Sequence, residues 1–109
     1  MLLLGGCSAS RPAATTSSVT SPPAPVSGDQ VSIDGFAFAP LTLIVKPGTS
    51  VTWTNRDEEP HTVAATDGSF HSPGMGTGAT FSHTFSAPGT FDYVCSIHPM
   101  MHGSVVVSP

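Results

Sequence analysis

From Gln30 onward, short apolar stretches recur between turn signals. That spacing suits a sandwich or small barrel better than βαβ units. "VSI" (31–33) and "LTLIV" (41–45) read as the first two strands, joined by "DGFAFAP", and Pro47 and Gly48 make the next turn. "SVTWTN" alternates cleanly, with Val51, Trp53 and Asn55 on one face and Thr52 and Thr54 on the other. Trp53 belongs to the core. Asn55 then points inward at the strand's end, where a buried amide must find partners. A polar turn, "RDEEP", leads to His61, which opens the strand "HTVAA". The Gly-rich stretch "DGSFHSPGMGTGA" is irregular, "TFSHTF" alternates again, "SAPGT" turns, and "FDYVC" and "GSVVV" close the sheet. The expected fold is all-β: a Greek-key sandwich of about seven or eight strands.

Composition agrees, because this part is rich in Val, Thr, Phe, Gly and Pro and poor in Leu, Lys and Glu. The foldable part, residues 29–109, is small. Such a domain buries only about 60–65% of its unfolded surface and gains from a staple such as a metal. The net charge of −4, with no run of Lys or Arg, gives no footprint for phosphates, so no nucleic-acid partner is expected.

The N-terminus, "MLLLGGCSAS", resembles a bacterial lipoprotein cleavage box: a leucine three residues before Cys7, with small residues between. The resemblance implies that residues 1–7 are a truncated signal whose true start lies upstream, and that Cys7 carries lipid. An untargeted tail with a stray cysteine is the alternative. Residues 8–28, almost entirely Ser, Thr, Ala and Pro, cannot bury enough to order themselves and read as a semi-rigid spacer. Together these features predict an extracytoplasmic, membrane-tethered domain acting as a monomer.

The chemistry is concentrated in "CSIHPMM", residues 95–101. In "FDYVC" the residues Phe91, Tyr93 and Cys95 share the core face, so Cys95 points inward. A buried thiol is usually inert packing. Here His98 follows after two residues and Met101 after two more, so the turn into "GSVVV" can aim three side chains at one point. His61 can supply a fourth from another strand. One thiolate, two imidazoles and one thioether select copper, with His₂Cys in a plane and a weak axial Met. Zinc fits poorly, because structural zinc uses four Cys or His ligands and this domain has one cysteine.

"TWTNRDEEPHTV" and "GTFDYVCSIHPMMHGSVVV" are similar to the two ligand-bearing segments of type 1 (blue) copper proteins of the cupredoxin superfamily, in the amicyanin, pseudoazurin and plastocyanin group. The likeness runs from about Val31 to Val107, and the Cys-x₂-His-x₂-Met loop is the short, amicyanin-like one. It implies His61, Cys95, His98 and Met101 as copper ligands. It implies Asn55 as the asparagine tying the Cys strand to the first His loop. His98 is implied as an electron port within an apolar patch for which Pro99, Met100, Pro73 and Met75 are candidates. Met100 should face outward beside it.

The remaining histidines have ordinary readings: His83, between Phe81 and Phe85, is a core or rim residue, and His71 and His102 are solvated. Asp57, Glu58 and Glu59 form a solvated turn that could steer a cationic partner. The function implied is electron transfer between redox partner proteins, without enzymatic activity. Copper buffering or delivery is the alternative, although delivery sites usually lack a buried thiolate. A copper oxidase or nitrite reductase would need more histidines and more domains.

Overall fold

The computed structural model describes residues 23–109. Among them, nine strands form two sheets and no helix is present. In chain order the strands are β1 (Val26–Ser27), β2 (Gln30–Asp34), β3 (Ala37–Ala39), β4 (Thr42–Val45), β5 (Thr49–Asn55), β6 (Ala64–Ala65), β7 (Thr80–Phe85), β8 (Gly89–Val94) and β9 (His102–Val107). One sheet has the order β1-β4-β9-β8-β6 and the other β3-β2-β5-β7. Both are mixed: β1, β4 and β9 run parallel, as do β2 and β5, while the other neighbours are antiparallel.

The expected all-β sandwich therefore forms, with two short strands beyond those read from the pattern. Val26 and Ser27 pair with Leu43 and Ile44, so sheet order begins inside the stretch expected to be spacer. Ala37–Ala39 folds back on β2 across the two-residue turn Gly35-Phe36. Both turn residues have positive φ, 61° and 57°, which is the mirror-image turn that matches strand twist. Phe36 is unusual there, because left-handed backbone costs a bulky residue roughly 1–2 kcal/mol. The third difference is at "HTVAA", where only Ala64–Ala65 is strand. His61 instead exchanges backbone hydrogen bonds with Met75.

The core follows the two-residue period. Val31 and Ile33 of β2, Val51 and Trp53 of β5, Leu43 and Val45 of β4, and Val105 and Val107 of β9 are all buried between the sheets. Trp53 lies at the centre, with Tyr93 edge-on at 5.4 Å and Phe70, Phe81 and Phe85 around it. Tyr93 pairs with Gly103 in register, and its ring lies across that glycine, where a Cβ would meet the phenol oxygen at 2.5 Å. Burial pushes the Tyr93 phenol up to about 12, so it stays neutral.

The core leaves one end of the sandwich to loops. His61 sits on the crossover between β5 of one sheet and β6 of the other. Cys95 directly follows β8, and the loop it opens toward β9 carries His98 and Met101. Both segments are thus anchored by strands on either side.

Candidate metal centre

The phase of β8 carries Cys95 inward directly after Val94, below Tyr93, and the residue is fully buried. The following turn closes on its own backbone: the His98 N–H donates to the Cys95 carbonyl, the Met101 N–H to the His98 carbonyl, and the Cys95 N–H to the Met101 carbonyl. This knot holds the ligand spacing. It buries Met101 and leaves Met100 93% exposed, as the spacing predicts.

His61, Cys95 and His98 converge, with one ligand atom from each lying within 4.8 Å of the others. The Cys95 Sγ is 3.7 Å from Nδ1 of His61 and 3.7 Å from Nδ1 of His98. With metal–sulfur and metal–nitrogen bonds of about 2.3 and 2.0 Å, an ion in the plane of three such atoms spaces each sulfur–nitrogen pair roughly 3.7 Å apart. The donor set therefore fits one soft ion.

The electrostatics point the same way. The Nε2 of His61 lies 2.9 Å from the Asp57 Oδ2, so the ring proton sits on Nε2 and Nδ1 faces the sulfur bare. Burial pushes the Cys95 thiol up. The Thr62 N–H, the His61 and His98 rings and the Ile97 N–H more than offset it, bringing the pKa from 9.0 to about 6. The pocket thus favours a thiolate between two imidazole rings, a donor set that suits a cation.

Asn55 is buried as its phase predicts, but its partners differ from those expected of it. Its amide donates to the carbonyls of Glu59 and Met75, and its Oδ1 accepts the Asp57 N–H. It thus ties the acidic turn and the first His segment to the loop that carries Met75. The link to the Cys strand belongs to Thr62. Its N–H points at the Cys95 sulfur at 3.4 Å, and its hydroxyl accepts the Ser96 N–H at 2.7 Å. The physical reason is position, since Thr62 adjoins His61 and lies opposite Cys95 while Asn55 sits one turn earlier.

Around His98, Pro99 and Met100 are exposed as expected, and so is Pro73. Met75 departs from its expected place. It is buried in the core, because its backbone pairing with His61 draws it under the turn. Two residues that the sequence did not single out complete the patch. Ile97 is half exposed, and Phe36 packs edge-on against both His61 and His98, with centroids 5.3 and 5.2 Å away. An exposed aromatic in an apparent strand connection was the only available signal for Phe36. His83 is at the rim against Phe70, and His71 and His102 are exposed, all as expected.

Known proteins agree with this geometry. Residues 26–108 match the family described as copper binding proteins, plastocyanin/azurin family. The chain is 38% identical over 89 residues to amicyanin-alpha of Methylorubrum extorquens, covering 77% of this chain and 75% of that protein. It is 43% identical over 70 residues to amicyanin of Paracoccus denitrificans, covering 60% of this chain and 53%, about half, of the relative's length. Among solved structures, a novel purple cupredoxin from Nitrosopumilus maritimus superimposes with a TM-score of 0.69 at 36% identity, covering 74% of this chain and all of that one.

Proposed function

The chain belongs to the plastocyanin/azurin family of copper-binding proteins, and on that footing we propose that it carries one electron at a time between redox partner proteins, through a single copper ion held by His61, Cys95, His98 and Met101. The observation that carries this reading is the buried Cys95 sulfur, 3.7 Å from a ring nitrogen of each histidine. Copper, when bound, supplies a one-electron couple between Cu(II) and Cu(I). The protein's part is to keep everything else still. His61 and Cys95 are fully buried and fixed by hydrogen bonds, so a change of one charge meets little rearrangement and little solvent. Hydrogen bonds to the Cys95 sulfur, and the thioether of Met101 as a weak ligand, would tune the potential of a bound copper. In this reading the chain is an electron carrier rather than an enzyme.

His98 is the port. It is the one ligand only partly covered, and the exposed apolar residues Phe36, Ile97, Pro99 and Met100 adjoin it in space or sequence. A partner with an apolar docking face fits there. Cys7 lies outside the described residues; its role as a lipid attachment point and the extracytoplasmic location rest on the "LLGGC" pattern. Mass spectrometry of the protein extracted from membranes tests that attachment.

The decisive test is the visible spectrum of the purified chain with one equivalent of Cu(II), beside Cys95→Ser. The expected result is an intense thiolate-to-copper band, bleached reversibly by a mild reductant and absent from the variant. A pale spectrum indifferent to the substitution would reduce Cys95 to packing and favour copper buffering or delivery.

A further inference from the structure

Three acids in a row, Asp57, Glu58 and Glu59, look alike in the sequence, but the structure separates them. Glu58 and Glu59 are exposed, whereas the Asp57 side chain is only 11% exposed and has both oxygens engaged. Its Oδ1 accepts the Gly35 N–H at 2.7 Å and its Oδ2 accepts the Phe36 N–H at 2.9 Å. The same Oδ2 lies 2.9 Å from Nε2 of His61. All three partners are N–H donors, on a turn more than twenty residues away and on a copper ligand. Phe36 is held at φ 57°, a backbone state a bulky side chain adopts only where its surroundings impose it. What the turn gains by that strain is a ring standing edge-on to His61 and His98 together.

We propose that Asp57 is the positioning residue of this centre: one carboxylate sets the tautomer of His61 and, through the β2–β3 turn, seats Phe36 across both histidine rings. The proposal rests on the copper reading above, but its first half is visible without metal. With the ring proton committed to Asp57, Nδ1 of His61 is bare and ready as a ligand. Without the carboxylate the proton is free to move to the nitrogen that must bind. The second half concerns exposure. Phe36 packs T-shaped against both histidine rings, so the carboxylate that seats it also limits how far His98 can turn. Asparagine is the discriminating replacement. It keeps the shape but must direct an NH₂ group at partners that are themselves donors, so it cannot satisfy all three.

The experiment uses the 109-residue chain. Nitrogen-15 NMR of the metal-free wild type should find His61 protonated on Nε2 alone, and Asp57→Asn should give a mixture of tautomers. Copper(II) affinity, measured by competition with a chelator of known strength, should fall about 10- to 100-fold in Asp57→Asn, the usual effect of losing a ligand's hydrogen-bond partner, and recover in part with Asp57→Glu. Phe36→Gly isolates the other half and should fold readily, since glycine is at ease at this φ. It should keep the Nε2 tautomer yet shift the reduction potential and quicken exchange of the His98 ring proton. An unchanged tautomer together with copper affinity within about twofold in Asp57→Asn would overturn the proposal. So would a Phe36→Gly chain with wild-type potential and exchange. If Asp57→Asn does not fold, Asp57→Ser takes its place: a mixture of tautomers with a similar fall in affinity supports the carboxylate's role, and an unchanged tautomer with affinity within about twofold overturns it. Failure of the copper reading itself would appear separately, as a wild type that gives no thiolate-to-copper band.

Discussion

The Thr62 hydroxyl lies 2.7 Å from the Ser96 amide nitrogen and 2.7 Å from the Ser96 hydroxyl, joining two segments more than thirty residues apart. Thr62→Val keeps the shape, and keeps the backbone N–H that points at the Cys95 sulfur. It removes the acceptor, leaving a partly buried Ser96 N–H without a partner. A loss of about 1–3 kcal/mol in urea denaturation of the metal-free chain is the expected outcome. A loss under about 0.5 kcal/mol, the range of ordinary surface changes, would mean that water replaces the hydroxyl at no cost. Nothing in the sequence marks Thr62 for this task, because a threonine beside a histidine is common and its partner is distant along the chain. The four ligands were legible for the opposite reason. Cys95, His98 and Met101 lie within one turn, and few functions need that combination of soft donors. Asp57 and Phe36 fall between these cases: the residues are visible, but the turn that brings them together is not.

At the scale of elements, the β8–β9 hairpin carries the centre, and its stiffness depends on a glycine. Gly103 faces Tyr93 in register, and an added Cβ would lie 2.5 Å from the phenol oxygen and 2.6 Å from the adjoining ring carbon. The tyrosine cannot easily retreat, because Phe38 at 4.8 Å and Trp53 at 5.4 Å hold it edge-on from two sides. Gly103→Ala is therefore expected to destabilise the fold by roughly 1–3 kcal/mol, the usual cost of overpacking. Because Gly103 is two residues from Met101, the copper-loaded variant should also show an altered visible spectrum. Equal unfolding midpoints for variant and wild type would mean that the ring finds another rotamer. The strands themselves were read with varying success, and strand length explains most of it. The alternation in β5 and β7 spans six or seven residues and marks an inward face, while β9 reads as a strand from its run of valines. β1 has two residues and β3 has three, too few to alternate, and both pair because neighbouring strands offer them an edge. Met75 illustrates the converse failure, since a Gly-rich loop carries no periodicity from which depth can be read.

For the whole molecule, the centre clips together a crossover between sheets and a hairpin of one sheet, in a domain whose core is small. The thiol links that clip to pH. Folding lowers the Cys95 pKa from 9.0 to about 6, against the opposing effect of burial. Below pH 6 the group is protonated in both folded and unfolded chains, and above 9 it is ionised in both. Between these values the unfolded chain binds the extra proton, so stability rises with pH across the window and is lost as pH falls toward 6. Within that window the slope approaches about 1.4 kcal/mol per pH unit. Thermal unfolding of the metal-free chain at several pH values, beside Cys95→Ser, isolates this contribution. The wild-type midpoint should climb from mildly acidic to mildly alkaline pH, while that of the variant stays flatter. Parallel curves would mean that the sulfur is protonated in the folded chain, and that copper, not the protein, must displace the proton on binding. A climbing wild-type curve would mean that the folded site itself stabilises the thiolate, so that copper enters a site already charged for it.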